Sequence, residues 1–119
     1  MKLVVLEPET AALEADVVQR AGLLTSRLGV TEVRRAARRA GGRRLLQQVD
    51  DVIEAFVIIE MTPDMFDRAG TLAPAALRTL DAMHLATALT LDLPVDFVTY
   101  YARLADAARH HGLRVSTPR

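Results

Sequence analysis

Apolar positions along the chain follow two rhythms: short β-branched runs, and longer stripes at helical spacing. Leu3–Leu6 is a brief apolar run that periodicity alone leaves open between strand and helix. Ala11, Leu13, Val17 and Ala21 recur at helical intervals, so residues 9–22 read as a helix closed by Gly22. Leu23, Leu24 and Thr25 then make a short buried strand. Val30 to Ala40 is predicted helical and stopped by Gly41-Gly42. Arg43 to Phe56 is a second helix, with Leu45, Leu46, Val49, Ile53 and Phe56 on one stripe.

Val57 to Met61 is short and β-branched, hence a strand. Thr62 is a predicted N-cap with Pro63 at the first helical position, opening a helix through Gly70. Ala75 to Leu91 reads as a long, mostly apolar and therefore buried helix. After Pro94 come a strand over Asp96 to Tyr100, a helix over Ala102 to His111 capped by Gly112, and a last strand over Leu113 to Ser116. Short apolar strands alternating with helices imply an α/β fold, a central parallel sheet covered by helices. In such folds ligands collect at the carboxyl ends of the strands.

Composition narrows the picture. A chain of 119 residues has room for one domain, and 50% apolar residues give it material for a continuous core. With no cysteine, disulfides and thiolate–zinc sites are excluded. No apolar stretch approaches the roughly 20 residues of a membrane span. Lys2 and the short run before Glu7 are too little for a signal peptide, so a cytoplasmic protein is expected. Fifteen basic and fifteen acidic residues cancel, leaving no strong overall field for nucleic acid. The distribution is uneven: Arg34, Arg35, Arg38, Arg39, Arg43 and Arg44 crowd one stretch, while acids dominate the first sixteen residues and Asp50 to Asp67.

Two carboxylates stand where burial is costly. Glu32 opens a helix just after a strand, and Asp81 lies in the most apolar helix of the chain. Each must be paired, hydrogen-bonded or bound to a cation. A capping or ion-paired acid would account for either alone. Two of them near strand ends point toward a hard-metal site, because Mg²⁺ takes oxygen ligands and few protein groups. His84, one turn after Asp81, could share that site, but is expected to be a structural histidine bonded within the helical layer. His110-His111 lacks metal-ligand spacing. Arg35, Arg38 and Arg39 share a helix face, which suits RNA backbone contact, a solvated surface or an acidic partner segment. Three Phe and two Tyr give little support for readout by base stacking.

Thr25-Ser26-Arg27-Leu28 with Thr31-Glu32-Val33, Leu80-Asp81-Ala82-Met83-His84-Leu85-Ala86-Thr87-Ala88, Phe97-Val98-Thr99-Tyr100 before Arg103-Leu104-Ala105, and Gly112-Leu113-Arg114-Val115 together resemble VapC-type PIN domains in order and spacing. The resemblance covers nearly the whole chain, and the segment around Asp81 is its most specific part. It implies a PIN-like three-layer sandwich. It also implies an endoribonuclease toxin that hydrolyses RNA phosphodiesters with Mg²⁺ or Mn²⁺ held by three or four acids. Expected partners are a VapB-like antitoxin, an RNA substrate and a second copy in a homodimer. Glu32 and Asp81 would be two of the metal-holding, catalytic acids.

The remaining acids depart from the family pattern. Lys2 to Thr10 resembles the helix and turn that follow the family's first Asp-bearing strand, so the sequence is expected to begin about one strand late. The rival register makes Leu3–Leu6 the first strand and Glu7 the replacement acid. The last acid of the set falls at Tyr101, and tyrosine, with a pKa near 10, is a poor Mg²⁺ ligand at neutral pH. Asp96 stands at the opposite end of its strand, and Asp106 reads as a solvated helix acid. Two carboxylates alone would hold a divalent ion weakly, so little cleavage is expected. The alternative function is a catalytically degenerate PIN domain that binds antitoxin or another protein.

Overall fold

The computed structural model describes residues 2–5, 22–91 and 93–116. Five short strands, β1 (Lys2–Val4), β2 (Leu23–Ser26), β3 (Val57–Ile59), β4 (Asp96–Val98) and β5 (Arg114–Ser116), form one sheet in the order β3-β2-β1-β4-β5. Every neighbouring pair is parallel. The described helices are α1 (Arg27–Ile53), α2 (Pro63–Gly70), α3 (Thr79–Thr90) and α4 (Ala102–His110).

Strand alternation builds the layers. Leu3, Leu24 and Phe97 pack with Leu85 and Ala88 of α3 and with Leu104, Ala107 and Ala108 of α4. Val4, Leu23 and Val98 turn to the other face and pack on Val30, Val33, Ala37, Val49 and Ile53 of α1. The result is a three-layer α/β sandwich with apolar contacts on both faces of a parallel sheet, as such sheets require. Phe97, Leu3, Leu85 and Leu104 are wholly enclosed, and each contributes roughly 1.5–3 kcal/mol by leaving water.

The N-terminal run corrects one expectation. Residues 2–4, expected to match the helix and turn after the family's first strand, are instead the middle strand of the sheet, paired to β2 on one side and β4 on the other. Leu3 and Val4 supply the core of opposite faces, so an apolar run of this length is satisfied only by two-sided burial. Glu7 and residues 9–21 of the predicted helix lie outside the described residues.

Elsewhere the differences are local. Residues 27–53 are two helical pieces broken at Gly42, whose φ of 65° and ψ of −147° suit only glycine. Thr62 caps α2 through its hydroxyl, which accepts from Met65 N–H, with Pro63 in the first turn. The long helix expected from Ala75 starts at Thr79. Pro74 O is taken by a turn bond from Leu77 N–H, and Arg78 is extended (φ −65°, ψ 150°). Among the described residues no helix is long and apolar enough to cross a membrane.

Candidate functional site

The sheet order places a topological switch at β1, because the strands next in sequence order run to one side of it and β4 and β5 to the other. Crevices at the carboxyl ends of strands form at such points. A cleft of about 1200 Å³ lies here. Glu32, one turn and a half into α1, Asp81, in the first turn of α3, and Tyr100 and Tyr101, just past β4, all line it.

The Glu32 side is built from β2 outward. Thr25, fully buried, donates its hydroxyl to Val4 O at 2.8 Å and so ties the end of β2 to β1. Ser26 is the N-cap of α1: its Oγ accepts from Gly29 N–H at 2.9 Å. The same oxygen lies 3.5 Å from His84 Nδ1. A Cβ on Gly29 would stand 2.8 Å from Thr25 Oγ1 but 3.7 Å from His84 Cε1, so it is Thr25 that requires glycine here, and between Gly29 and the ring there is an ordinary van der Waals gap. The buried His84 ring reaches α1, and its Nε2 is hydrogen-bonded to Glu32 Oε1. Because a carboxylate only accepts, Nε2 carries the hydrogen of that bond and donates it, while the direction of the Nδ1–Ser26 Oγ contact follows from whether Nδ1 carries one as well. A structural histidine bonded within the helical layer was expected. His84 is buried, but its partners are on β2 and α1.

Asp81 sits three residues before His84 on the same helix, half-buried at the cleft wall. Burial pushes its carboxyl above the usual range; His84 and Arg78 pull it down, and the charge of Glu32 pushes it up. Two carboxylates that repel across a partly dry cleft are a poor arrangement for the protein alone. A bound cation would relieve it.

The other sequence candidates separate cleanly. Arg35, Arg38 and Arg39 are exposed and do not line the cleft. Asp96 is at the amino end of β4, paired with Arg114 at 3.2 Å. Asp106 is exposed and paired with Arg109 at 3.4 Å, yet it borders the cleft. Sequence reasoning missed Arg78, Arg103 and His110, which line the same cleft. The spacing of Arg78 from Asp81 was a usable signal for one of them. Arg103 and His110 become neighbours of the site only because α4 packs beside it.

Comparison with known proteins bears on this geometry. The family model described as PIN domain matches residues 3–112. The chain belongs to the PIN-domain family. Within it the chain is of the VapC type. It is 38% identical over 125 residues to Ribonuclease VapC46 of Mycobacterium tuberculosis (strain ATCC 25618 / H37Rv), covering 99% of this chain and 91% of that protein. It is 33% identical over 122 residues to Ribonuclease VapC47 of Mycobacterium tuberculosis (strain CDC 1551 / Oshkosh), covering 98% and 90%. Among solved structures, this PIN domain is similar to a chain of VapBC2 from Rickettsia felis bound to a promoter DNA fragment, with a TM-score of 0.74, 10% identity, and coverage of 98% of this chain and 99% of that one. A chain of VapBC-1 from nontypeable Haemophilus influenzae gives 0.71, 12%, 98% and 96%. At those identities the likeness shows the fold alone.

Proposed function

We propose that this PIN domain is a cytoplasmic VapC-like toxin, an endoribonuclease that hydrolyses RNA phosphodiester bonds with Mg²⁺ or Mn²⁺ and is neutralised by a VapB-like antitoxin. The observation that carries this reading is that Glu32 and Asp81, from separate helices, open onto one cleft at the carboxyl edge of the sheet. The identity to two proteins named ribonucleases supports it. Partnership with an antitoxin is supported by the fold shared with chains from two VapBC structures.

Among the described residues no three His, Cys, Asp or Glu side chains form a group that could hold a metal by themselves. Mg²⁺ does not require one, since it keeps several waters and is held by one or two carboxylates plus substrate phosphates. The donors are hard oxygens, the kind that Mg²⁺ and Mn²⁺ take. Glu32 and Asp81 would hold the ion. When bound, it supplies charge neutralisation at the phosphate and a more acidic water.

The chain's own residues do the rest. Arg78 and Arg103 line the cleft with the carboxylates and bind and orient the backbone phosphates. The exposed row Arg35, Arg38 and Arg39 extends that contact outside the cleft. Tyr100 and Tyr101 narrow its β4 side. A homodimer is part of the proposal; exposed Val57, Phe66 and Leu80 offer apolar surface for it.

The test is cleavage of single-stranded RNA by the purified chain with Mg²⁺ or Mn²⁺, beside Glu32→Gln and Asp81→Asn. Metal-dependent cleavage lost in both variants is the expected result. Cleavage unchanged by both would sink the assignment. Antitoxin binding without any cleavage would leave the degenerate binding module instead.

A further inference from the structure

His84 is the one buried titratable side chain among the described residues that the proposed chemistry does not use. Its ring is 2% exposed and spans two elements, touching Ser26 Oγ on β2 and Glu32 Oε1 on α1. Two features of the chain converge to allow this. Ser26 is turned inward by capping α1. The α3 helix presents His84 one turn below Asp81. A histidine needing only a partner for a buried N–H would be served by a carbonyl. Here the partner is a carboxylate that lines the cleft.

We propose that His84 is a positioning residue: its Nε2–H fixes one oxygen of the Glu32 carboxylate and so presents the other to a divalent cation shared with Asp81. The inference rests on the metal reading given above and names the device that makes it work with few acids. Glutamate is long and has several free torsions, so an unheld Glu32 would sample many positions. One hydrogen bond from a ring locked at both nitrogens removes most of them. Outer partners of metal-binding carboxylates act in this way, and losing one typically weakens metal affinity or activity about 10–100-fold.

The experiment is Mn²⁺ binding to the full chain without RNA, read by paramagnetic resonance and calorimetry, on wild type, His84→Gln, His84→Asn and Asp81→Asn. The Gln amide nitrogen reaches near the position of Nε2, whereas that of Asn reaches only near Nδ1. The expected result is that His84→Asn binds about 10–100-fold more weakly while His84→Gln stays within a few-fold of wild type. Equal loss in both variants, or no loss in either, overturns the positioning role. Wild type that binds Mn²⁺ in a manner lost in Asp81→Asn but untouched in His84→Asn overturns this inference alone. Wild type with no Mn²⁺ affinity overturns the metal reading and this inference together.

Both His84 variants could unfold, so the wild type carries a second measurement. The His84 ring nitrogens are followed by ¹⁵N-resolved NMR during Mg²⁺ addition. A protonated Nε2 that keeps its hydrogen bond supports the role. Loss of that proton on metal addition overturns it in favour of direct ligation.

Discussion

The imidazole of His84 and the carboxylate of Glu32, 52 positions apart in sequence, are hydrogen-bonded across the gap between α3 and α1. That bond separates two properties of Glu32, its oxygen as an acceptor and its charge. Replacing Glu32 by Gln keeps a carbonyl oxygen for His84 and removes only the charge. The expected outcome is RNA cleavage lowered about 10²-fold or more, the scale of losing an electrostatic stabiliser of a transition state. The thermal midpoint should move by less than about 4 °C, corresponding to roughly 1 kcal/mol for a domain this size. Cleavage rates and melting of the same preparation check both halves.

Asp81 gives the pH dependence. Its carboxyl titrates above the ordinary 3.8 because it is partly buried and faces Glu32, against the pull of His84 and Arg78. The folded chain therefore holds this proton to higher pH than the unfolded chain does. Stability falls as pH rises from the unfolded value through the folded one, and the loss persists above it. Asp81→Asn should melt higher than wild type at pH 7, and the difference should vanish below 3.8. Divalent cation should reverse the order. At a hundredfold excess over its Kd it stabilises wild type by about 2.7 kcal/mol, and the Asn variant far less. Calorimetric melting across pH, with and without Mg²⁺, reads both.

Much of the fold was legible because local chemistry and tertiary demand agree. Thr62-Pro63 announces a capped helix, and the cap forms. The Gly41-Gly42 break falls where the backbone reverses hand. Leu3–Leu6 was not resolved, since a run this short carries no period; only pairing on both edges decides it. At the site, Glu32 and Asp81 were visible as acids in apolar settings. His84 was expected to be bonded within the helical layer, because nothing in the sequence reveals that the fold brings Ser26 and Glu32 to its ring. Arg103 and His110 belong to the cleft through packing of α4, which no spacing encodes.

Gly29 is where one added methyl tests the packing at the end of β2. Alanine there gains about 1 kcal/mol in helix propensity. Its Cβ, however, meets Thr25 Oγ1 at 2.8 Å, and Thr25 cannot yield without breaking its 2.8 Å bond to Val4 O. Overpacking of this kind costs about 1–3 kcal/mol and wins. Gly29→Ala should be less stable than wild type, with cleavage per folded molecule little changed, since the added Cβ meets His84 Cε1 only at an ordinary 3.7 Å. Urea denaturation and cleavage rates corrected for folded fraction check the pair of effects.

The arginines divide by location. Arg78 and Arg103 line the cleft, whereas Arg35, Arg38 and Arg39 lie outside it. Each phosphate contact contributes about 0.7 to the salt slope of single-stranded binding. Arg78→Ala and Arg103→Ala should each lower that slope by about this amount and raise the KM for RNA. Replacing Arg35, Arg38 and Arg39 together should lower the slope without altering kcat, because those side chains do not line the cleft onto which Glu32 and Asp81 open. Binding of a non-cleavable RNA at several salt concentrations, set beside turnover, distinguishes the two groups.

Tyr101 offers the opposite kind of test, a gain. It is the N-cap of α4, makes no side-chain capping bond, and lines the cleft beside the carboxylates. By resemblance the family's last acid falls at this position. Aspartate at an N-cap accepts from the first-turn N–H groups and complements the helix dipole, which together stabilise by about 1 kcal/mol. It would also add a third oxygen donor to the pair already there. Three carboxylates crowd more negative charge into the cleft, so part of the capping gain is offset until a cation enters. Tyr101→Asp should therefore bind Mn²⁺ more tightly than wild type and cleave RNA faster, with a melting rise that grows when Mg²⁺ is present. An unchanged Mn²⁺ affinity would mean that position 101 does not face the ion held by Glu32 and Asp81.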